Sequence, residues 1–196
     1  MKKNKWISDP AHSEVYFKVK HLMISTVTGY FKNFTVEADT EKDDFTKATG
    51  IEFCAEVDSI DTKNPGRDNH LKSADFFDSA KHSHIKFSGT KFSGTKDKGT
   101  LTGNLTIRTV TKPITLNVEC GGITFDGYGQ EKAGFSVEGK LSRKEFGITW
   151  DTVTEAGNVV VGDEVKFFAE IQLIKQKETQ VENANIVTGK QELVAD

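Results

Sequence analysis

The sequence predicts an all-β fold, an antiparallel barrel or sandwich of about eight strands. Three observations carry that prediction. Apolar and polar residues alternate with a period of two along most of the 196 residues. The chain holds 14 Phe but only 8 Leu, and aromatic side chains favour the pleated, half-buried surface of a sheet. No helical period runs for more than about two turns, and Gly, Asn and Asp punctuate the alternation with turn signals.

Taken in order, residues 14–20 form the first strand, with Val15, Phe17 and Val19 on one face and Tyr16, Lys18 and Lys20 on the other. Residues 21–25 break the pattern as a bend or a single helical turn. A second strand spans 26–38, where Phe31 and Phe34 are three apart. Only a bulge or strong coil between them brings both inside. Residues 41–47 read as a polar connection and 50–59 as a strand. Then comes the one stretch that does not alternate, DSIDTKNPGRDNHLKSADFFD at 58–78. Asn64-Pro65-Gly66 signals a turn, residues 67–74 have the length of a short helix, and Phe76-Phe77 follow. A polar helix ending in paired aromatics suits a cap over a barrel mouth or a plug in its bottom. The sequence leaves both open.

Alternation resumes at 84–88. A hairpin turn is expected at 96–99, before the clearest strand, 100–108, with Leu101, Gly103, Leu105 and Ile107 on one face. Residues 109–113 turn the chain, 114–120 return it, 121–131 read as a loop, and 133–141 and 164–174 are the last strands. Phe-Ser-Gly-Thr-Lys occurs at 87–91 and again at 92–96, a period far too short for a solenoid. The organisation expected is one domain over 1–174 and a polar extension over 175–196.

Net charge is −3, with neither sign in a long run, which argues against a nucleic-acid partner. No apolar run approaches the ~20 residues of a membrane span. No signal-peptide core follows Met1-Lys2-Lys3-Asn4-Lys5-Trp6, so the chain as written is expected in the cytoplasm. Cys54 and Cys120 fall on opposite faces of their strands, which argues against a bridge. Five histidines, His82 and His84 among them, show no metal-ligand spacing, and no nucleophile elbow is present. No catalytic residue, metal or cofactor is expected.

Several ordered motifs resemble one family. They begin with Trp6-Ile7-Ser8-Asp9, His12-Ser13 and Val19-Lys20-His21-Leu22-Met23-Ile24-Ser25. They continue through Ser59-Ile60-Asp61-Thr62, Arg67-Asp68-x-His70-Leu71-Lys72-Ser73-x-Asp75-Phe76-Phe77-Asp78 and Leu105-Thr106-Ile107-Arg108-x-Val110-Thr111-Lys112-Pro113. Leu141-Ser142-Arg143-x-x-Phe146-Gly147-Ile148 and Val161-Gly162-Asp163-Glu164-Val165 close the series. Over about residues 6–173 the chain is similar to YceI-like proteins. Ser83 and Thr109 stand where many relatives have Pro and Gly. The resemblance implies an extended, lipocalin-like antiparallel barrel with a short helix in the 67–74 region. It also implies an apolar tunnel that holds a long isoprenoid lipid, a polyprenyl phosphate or an isoprenoid quinone, for storage or transport. Relatives are often exported to the periplasm, against the cytoplasmic reading.

The residues support the same use. Inward-facing positions are Phe17, Val19, Phe31, Phe34, Phe53, Val57, Phe87, Leu105, Ile107, Val118, Phe135, Phe167 and Ile171. Leu22 and Met23 at the first bend, and Phe76 and Phe77 after the helix, complete the expected ligand-binding set. His21, Arg67, His70 and Lys72 are the expected headgroup contacts at the mouth, with Arg suited to phosphate. Arg67-Asp68 reads equally as a local ion pair. Gly103, small and inward, is a position where a larger side chain would obstruct a tunnel. The partner expected is the lipid, and a homodimer is allowed. A Phe-lined wall and a Phe-filled core share one pattern. An enzyme acting on a lipid or small apolar molecule, and a solid barrel serving as an interaction module, therefore remain as alternatives.

Overall fold

Eight antiparallel passes of the chain close into a barrel. The computed structural model describes residues 3–152 and 160–177. The first pass is β1 (Asn4–Ser8) and β2 (Glu14–His21), the second β3 (Ser25–Phe31) and β4 (Phe34–Glu41), the third β5 (Asp44–Glu56) and β6 (Ile60–Asp61). Helix α1 (Pro65–Lys72) follows, then β7 (His84–Gly94), β8 (Lys98–Ile107), β9 (Val110–Phe125), β10 (Glu131–Ser142) and β11 (Val161–Lys175). The ring runs β1-β4-β5-β7-β8-β9-β10-β11 and returns to β1, where Trp6 faces Lys175 and Ile7 faces Ile174. The rest of β11 pairs with β2, and β2-β3-β6 extends the wall beyond β1.

The breaks within passes have local causes. Pro10 cannot donate to a ladder, and Asp9 accepts from the Ala11 N–H to cap a single 3-10 turn at Pro10–His12. A bend at Lys32 and Asn33 separates Phe31 from Phe34, so Phe31 is buried and Phe34 packs half-buried against the same core. Leu22 and Met23 form the first bend with φ of 51° and 60°, a left-handed hairpin turn and not a helical one.

Several boundaries differ from the sequence expectation. β1 is only five residues long, too short to display a period, and no strand is expected there. The polar connection at 41–47 shrinks to Lys42-Asp43, both left-handed, and Asp44 already opens β5. Such turns normally announce themselves as Asn-Gly, which Lys-Asp does not. The hairpin turn expected at 96–99 lies at 95–97. The turn expected at 109–113 is confined to Arg108 and Thr109, with Pro113 inside β9 opposite Asn104. β10 pairs with β9 only from Asn117 onward, so Pro113 borders an unpaired edge where its missing N–H is tolerated. The loop expected at 121–131 contracts to 126–130. α1 starts at Pro65, two residues early, because Asn64 caps it by accepting from the Arg67 N–H at 3.0 Å. The extension expected from 175 loses its first residue to β11, and residues 178–196 lie outside the described residues. Both cysteines are free.

One buried ion pair fixes the β1–β2 corner. Asp9 and Lys132 meet at 2.8 Å, each side chain about 10% exposed, and the same carboxylate contacts His12 at 2.9 Å. The bond from Lys132 holds the Asp9 carboxyl at about 2, against an ordinary 3.8, with help from His12 and the Ala11 N–H and against the cost of burial. Because the folded value is the lower one, this stabilisation is complete above pH 3.8 and is lost as pH falls toward 2. The shift corresponds to about 2 kcal/mol. A urea titration at stepped pH should therefore show Asp9→Asn converging on the parent protein between pH 4 and 2.

Candidate functional site

The barrel is hollow. A cavity of about 780 Å³ runs through its interior, within the ~300–1,000 Å³ usual for small-molecule sites. Close packing is the norm for protein interiors, and an apolar space of this size departs from it. The solid-barrel alternative falls on this observation.

Phe–Gly pairs explain how so many rings leave the centre open. A Cβ added at Gly29 would lie 2.3 Å from the Phe17 ring, at Gly103 2.3 Å from Phe87, at Gly99 2.5 Å from Phe92, and at Gly139 2.4 Å from Phe167. Each Phe lies down over a glycine of the neighbouring strand and forms wall instead of filler. Gly103 is accordingly covered by Phe87, and is not the open wall position the sequence suggested. Phe87 and Phe92 both line the cavity although five apart, because a bulge between Gly89 and Lys91 restores their common face. The five-residue repeat matches that bulge.

One end is closed. α1 is tied to β6 by Asp68, which accepts from both the N–H and the hydroxyl of Thr62. Arg67 donates to the Thr62 hydroxyl and carbonyl at 2.7 Å each. It therefore does not pair with Asp68. Leu71, Phe76 and Phe77 face the cavity from this cap. Phe76 packs with His70 and Trp150, at 5.0 and 5.2 Å between ring centres, and Phe77 meets Phe31 edge-on. The stretch at 58–78 is thus a plug at the closed end.

The opposite end is open. The exposed lining residues are Lys42 in the β4–β5 hairpin, Thr95, Lys96, Asp97 and Lys98 in the β7–β8 hairpin, and Gly122 and Ile123 in β9. β5 and β7 pair only from Glu52–Ser88 to Glu56–His84, so their outer halves part and form the mouth. Lys175 braces the rim by bonding Asp43 at 2.7 Å and Glu131 at 2.9 Å. Away from the rim the charged lining residue is Arg143, 4% exposed at the closed end. It donates to the carbonyls of Gly162, Ile148, Trp150 and Val161, so its donors are committed to holding chain. The lining contains no histidine and no serine among the described residues.

Of the expected ligand-binding set, Phe17, Val19, Phe31, Phe53, Phe76, Phe77, Phe87, Leu105, Ile107, Val118, Phe135, Phe167 and Ile171 line the cavity. Leu22, Met23, Phe34 and Val57 do not. Met23 is 62% exposed on the first hairpin, and Val57 is buried in a 3-10 turn. His21, Arg67, His70 and Lys72 are also outside the lining. They cannot ring the mouth, because the mouth is at the other end of the barrel. Of the two readings open for the non-alternating stretch, a cap over the mouth would have put Arg67, His70 and Lys72 there, whereas the structure has the plug. Phe45 is a lining residue hidden in the presumed polar connection, packed on Trp6 and Phe135 at 5.0 and 4.8 Å.

A closed antiparallel barrel around an apolar tunnel, plugged at one end, defines a lipocalin-like barrel. Residues 6–173 match the YceI-like domain, and the chain belongs to that family. A UPF0312 protein of Staphylococcus epidermidis is 38% identical over 167 residues, covering 84% of this chain and 94% of the relative. The crystal structure of a Campylobacter jejuni YceI protein is similar with a TM-score of 0.68 and 33% identity, over 81% of this chain and 90% of that one. A polyisoprenoid binding domain from Saccharophagus degradans shares the fold with a TM-score of 0.60 and 13% identity, over 87% and 98% of the two chains. Among the described residues no helix is long and apolar enough to cross a membrane.

Proposed function

We propose that this protein binds a long isoprenoid lipid, its tail in the tunnel and its polar head at the open rim. The observation that carries the reading is the tunnel itself, apolar from the Phe76–Phe77 plug to the β7–β8 hairpin. Such a shape suits a long branched hydrocarbon, with about 0.8 kcal/mol available per buried methylene. A structural neighbour described as a polyisoprenoid binding domain supports it. Lys42, Lys96 and Lys98 stand at the rim without ion-pair partners among the described residues, and they are the cations nearest an emerging phosphate. The role is carriage or storage of the lipid, with no chemistry performed on it.

Solvent extraction of the purified protein followed by mass spectrometry should recover an isoprenoid in near-stoichiometric amount. A preparation that holds none, and that fails to take up farnesol or a long polyprenol from solution, would sink the reading. In the same assay, Lys96→Gln with Lys98→Gln should weaken a polyprenyl phosphate more than the matching polyprenol.

A further inference from the structure

The inner apolar stripe of β9 does not stop at the rim. Leu116, Val118 and Cys120 line the tunnel, and Cys120 lies opposite Phe135. A bulge at Gly121–Gly122, with φ of 105° at Gly122, adds one residue there. Beyond it, the matched pairs on the Cys120–Phe135 face are Ile123 with Ala133 and Phe125 with Glu131. The added residue keeps Ile123 and Phe125 on the tunnel face, but the neighbouring strand has ended, since β8 begins opposite Glu119. The tunnel wall thus continues into solvent as a ramp. Ile123 is 41% exposed, Phe125 67%, and Tyr128 in the tip 93%.

Exposed apolar groups gathered beside a tunnel mouth mark a contact surface. The surrounding charge says what kind. Around this end Asp43 and Glu131 are held by Lys175, and Asp126 by Lys132. Lys42, Lys96 and Lys98 have no ion-pair partner within 4 Å among the described residues; the carboxylates near them are Asp97, Asp44 within electrostatic reach of Lys96, and Glu119 across the strand pair from Lys98. An apolar and aromatic tip beside lysines that form no ion pair suits a bilayer with anionic headgroups, where Tyr rings settle at the headgroup level and Phe at the acyl boundary. The bare edge of β9 could instead attract another strand, but the bulge disrupts the regular row of donors and acceptors that pairing needs.

We infer that the β9–β10 hairpin docks on an anionic lipid bilayer and presents the tunnel mouth to it, with Phe125 and Tyr128 as the membrane anchors and Ile123 at the lip of the tunnel. This rests on the lipid-binding reading above, and the two are tested separately. The docking arm is flotation of the full chain with phosphatidylcholine vesicles containing phosphatidylglycerol. The parent protein should float with the vesicles, and raised salt should weaken the association. Phe125→Ser with Tyr128→Ser should reduce it more than tenfold, and Lys96→Gln with Lys98→Gln should reduce it roughly fivefold per lysine. Neither Phe125 nor Tyr128 lines the tunnel, so the first double variant should take up farnesol from solution as the parent does. The farnesol arm judges the lipid-binding reading, and the flotation arm judges the docking surface. Docking is overturned if the parent stays with the soluble fraction, or if the Phe125 and Tyr128 variant floats equally well. It is likewise overturned if sedimentation shows that the same two substitutions break up a homodimer while vesicles are ignored.

Discussion

Replacing Lys132 with methionine is expected to destabilise the barrel by about 3–5 kcal/mol, because it leaves a buried carboxylate without its cation. For a chain of this size that corresponds to a melting temperature lower by roughly 10 °C or more. The Asp9 carboxyl would lose its strongest bond and keep only His12 and the Ala11 N–H. It cannot swing into water, since it also caps the turn that joins β1 to β2, and its own N–H donates to the Gln172 carbonyl. The loss should thus spread to the seam where β1 meets β11 and closes the barrel. Adding Asp9→Asn should recover most of it, since an amide can be buried at lower cost and still accept from Ala11. If Lys132→Met melted within a degree or two of the parent, the pair would be ornamental and the corner held by backbone alone.

The general architecture was legible because the alternation of β2, β8, β10 and β11 is nearly unbroken, and a period of two has one structural meaning. The closing strand β1 was not, being too short to show a period. Its role depends on Trp6, which is fully buried and donates its indole N–H to the Thr40 hydroxyl at 2.8 Å. Nothing in five residues announces such a partner 34 positions away. The tunnel's Phe residues could be named from their phase, but bulges reset the phase between Gly89 and Lys91 and again at Gly121–Gly122. Phe92 and the outer ramp therefore escaped. The orientation of the site was illegible for a different reason. Arg67 and His70 have the chemistry of headgroup ligands, yet their partners are Thr62 and Asp75. Which end of a barrel is plugged depends on where adjacent strands part, and β5 and β7 part for reasons no local pattern records.

Gly139→Ala is expected to cost about tenfold or more in affinity for a long polyprenol while the barrel still folds. A Cβ at this position would sit 2.4 Å from Cζ of Phe167, with the Leu116 side chain at 2.9 Å, and its three nearest neighbours are all side-chain atoms. The ring must lift, and the wall behind it is β10, so the only free direction is the tunnel. Overpacking of a filled core costs typically 1–3 kcal/mol. Here the cost should lie at the low end, because the cavity receives the displaced ring. Gly103→Ala is the informative contrast. Its Cβ would meet the Ser88 carbonyl oxygen at 2.5 Å as well as the Phe87 ring. A carbonyl in a paired strand cannot retreat without parting β7 from β8, so that variant should lose stability first. Farnesol, short enough to stop before the obstruction, should be bound by Gly139→Ala nearly as by the parent, whereas the long polyprenol should not. Equal affinity of Gly139→Ala and parent for both ligands would mean that Phe167 does not bound the space the tail occupies. The tail would then have to follow a path along another part of the wall.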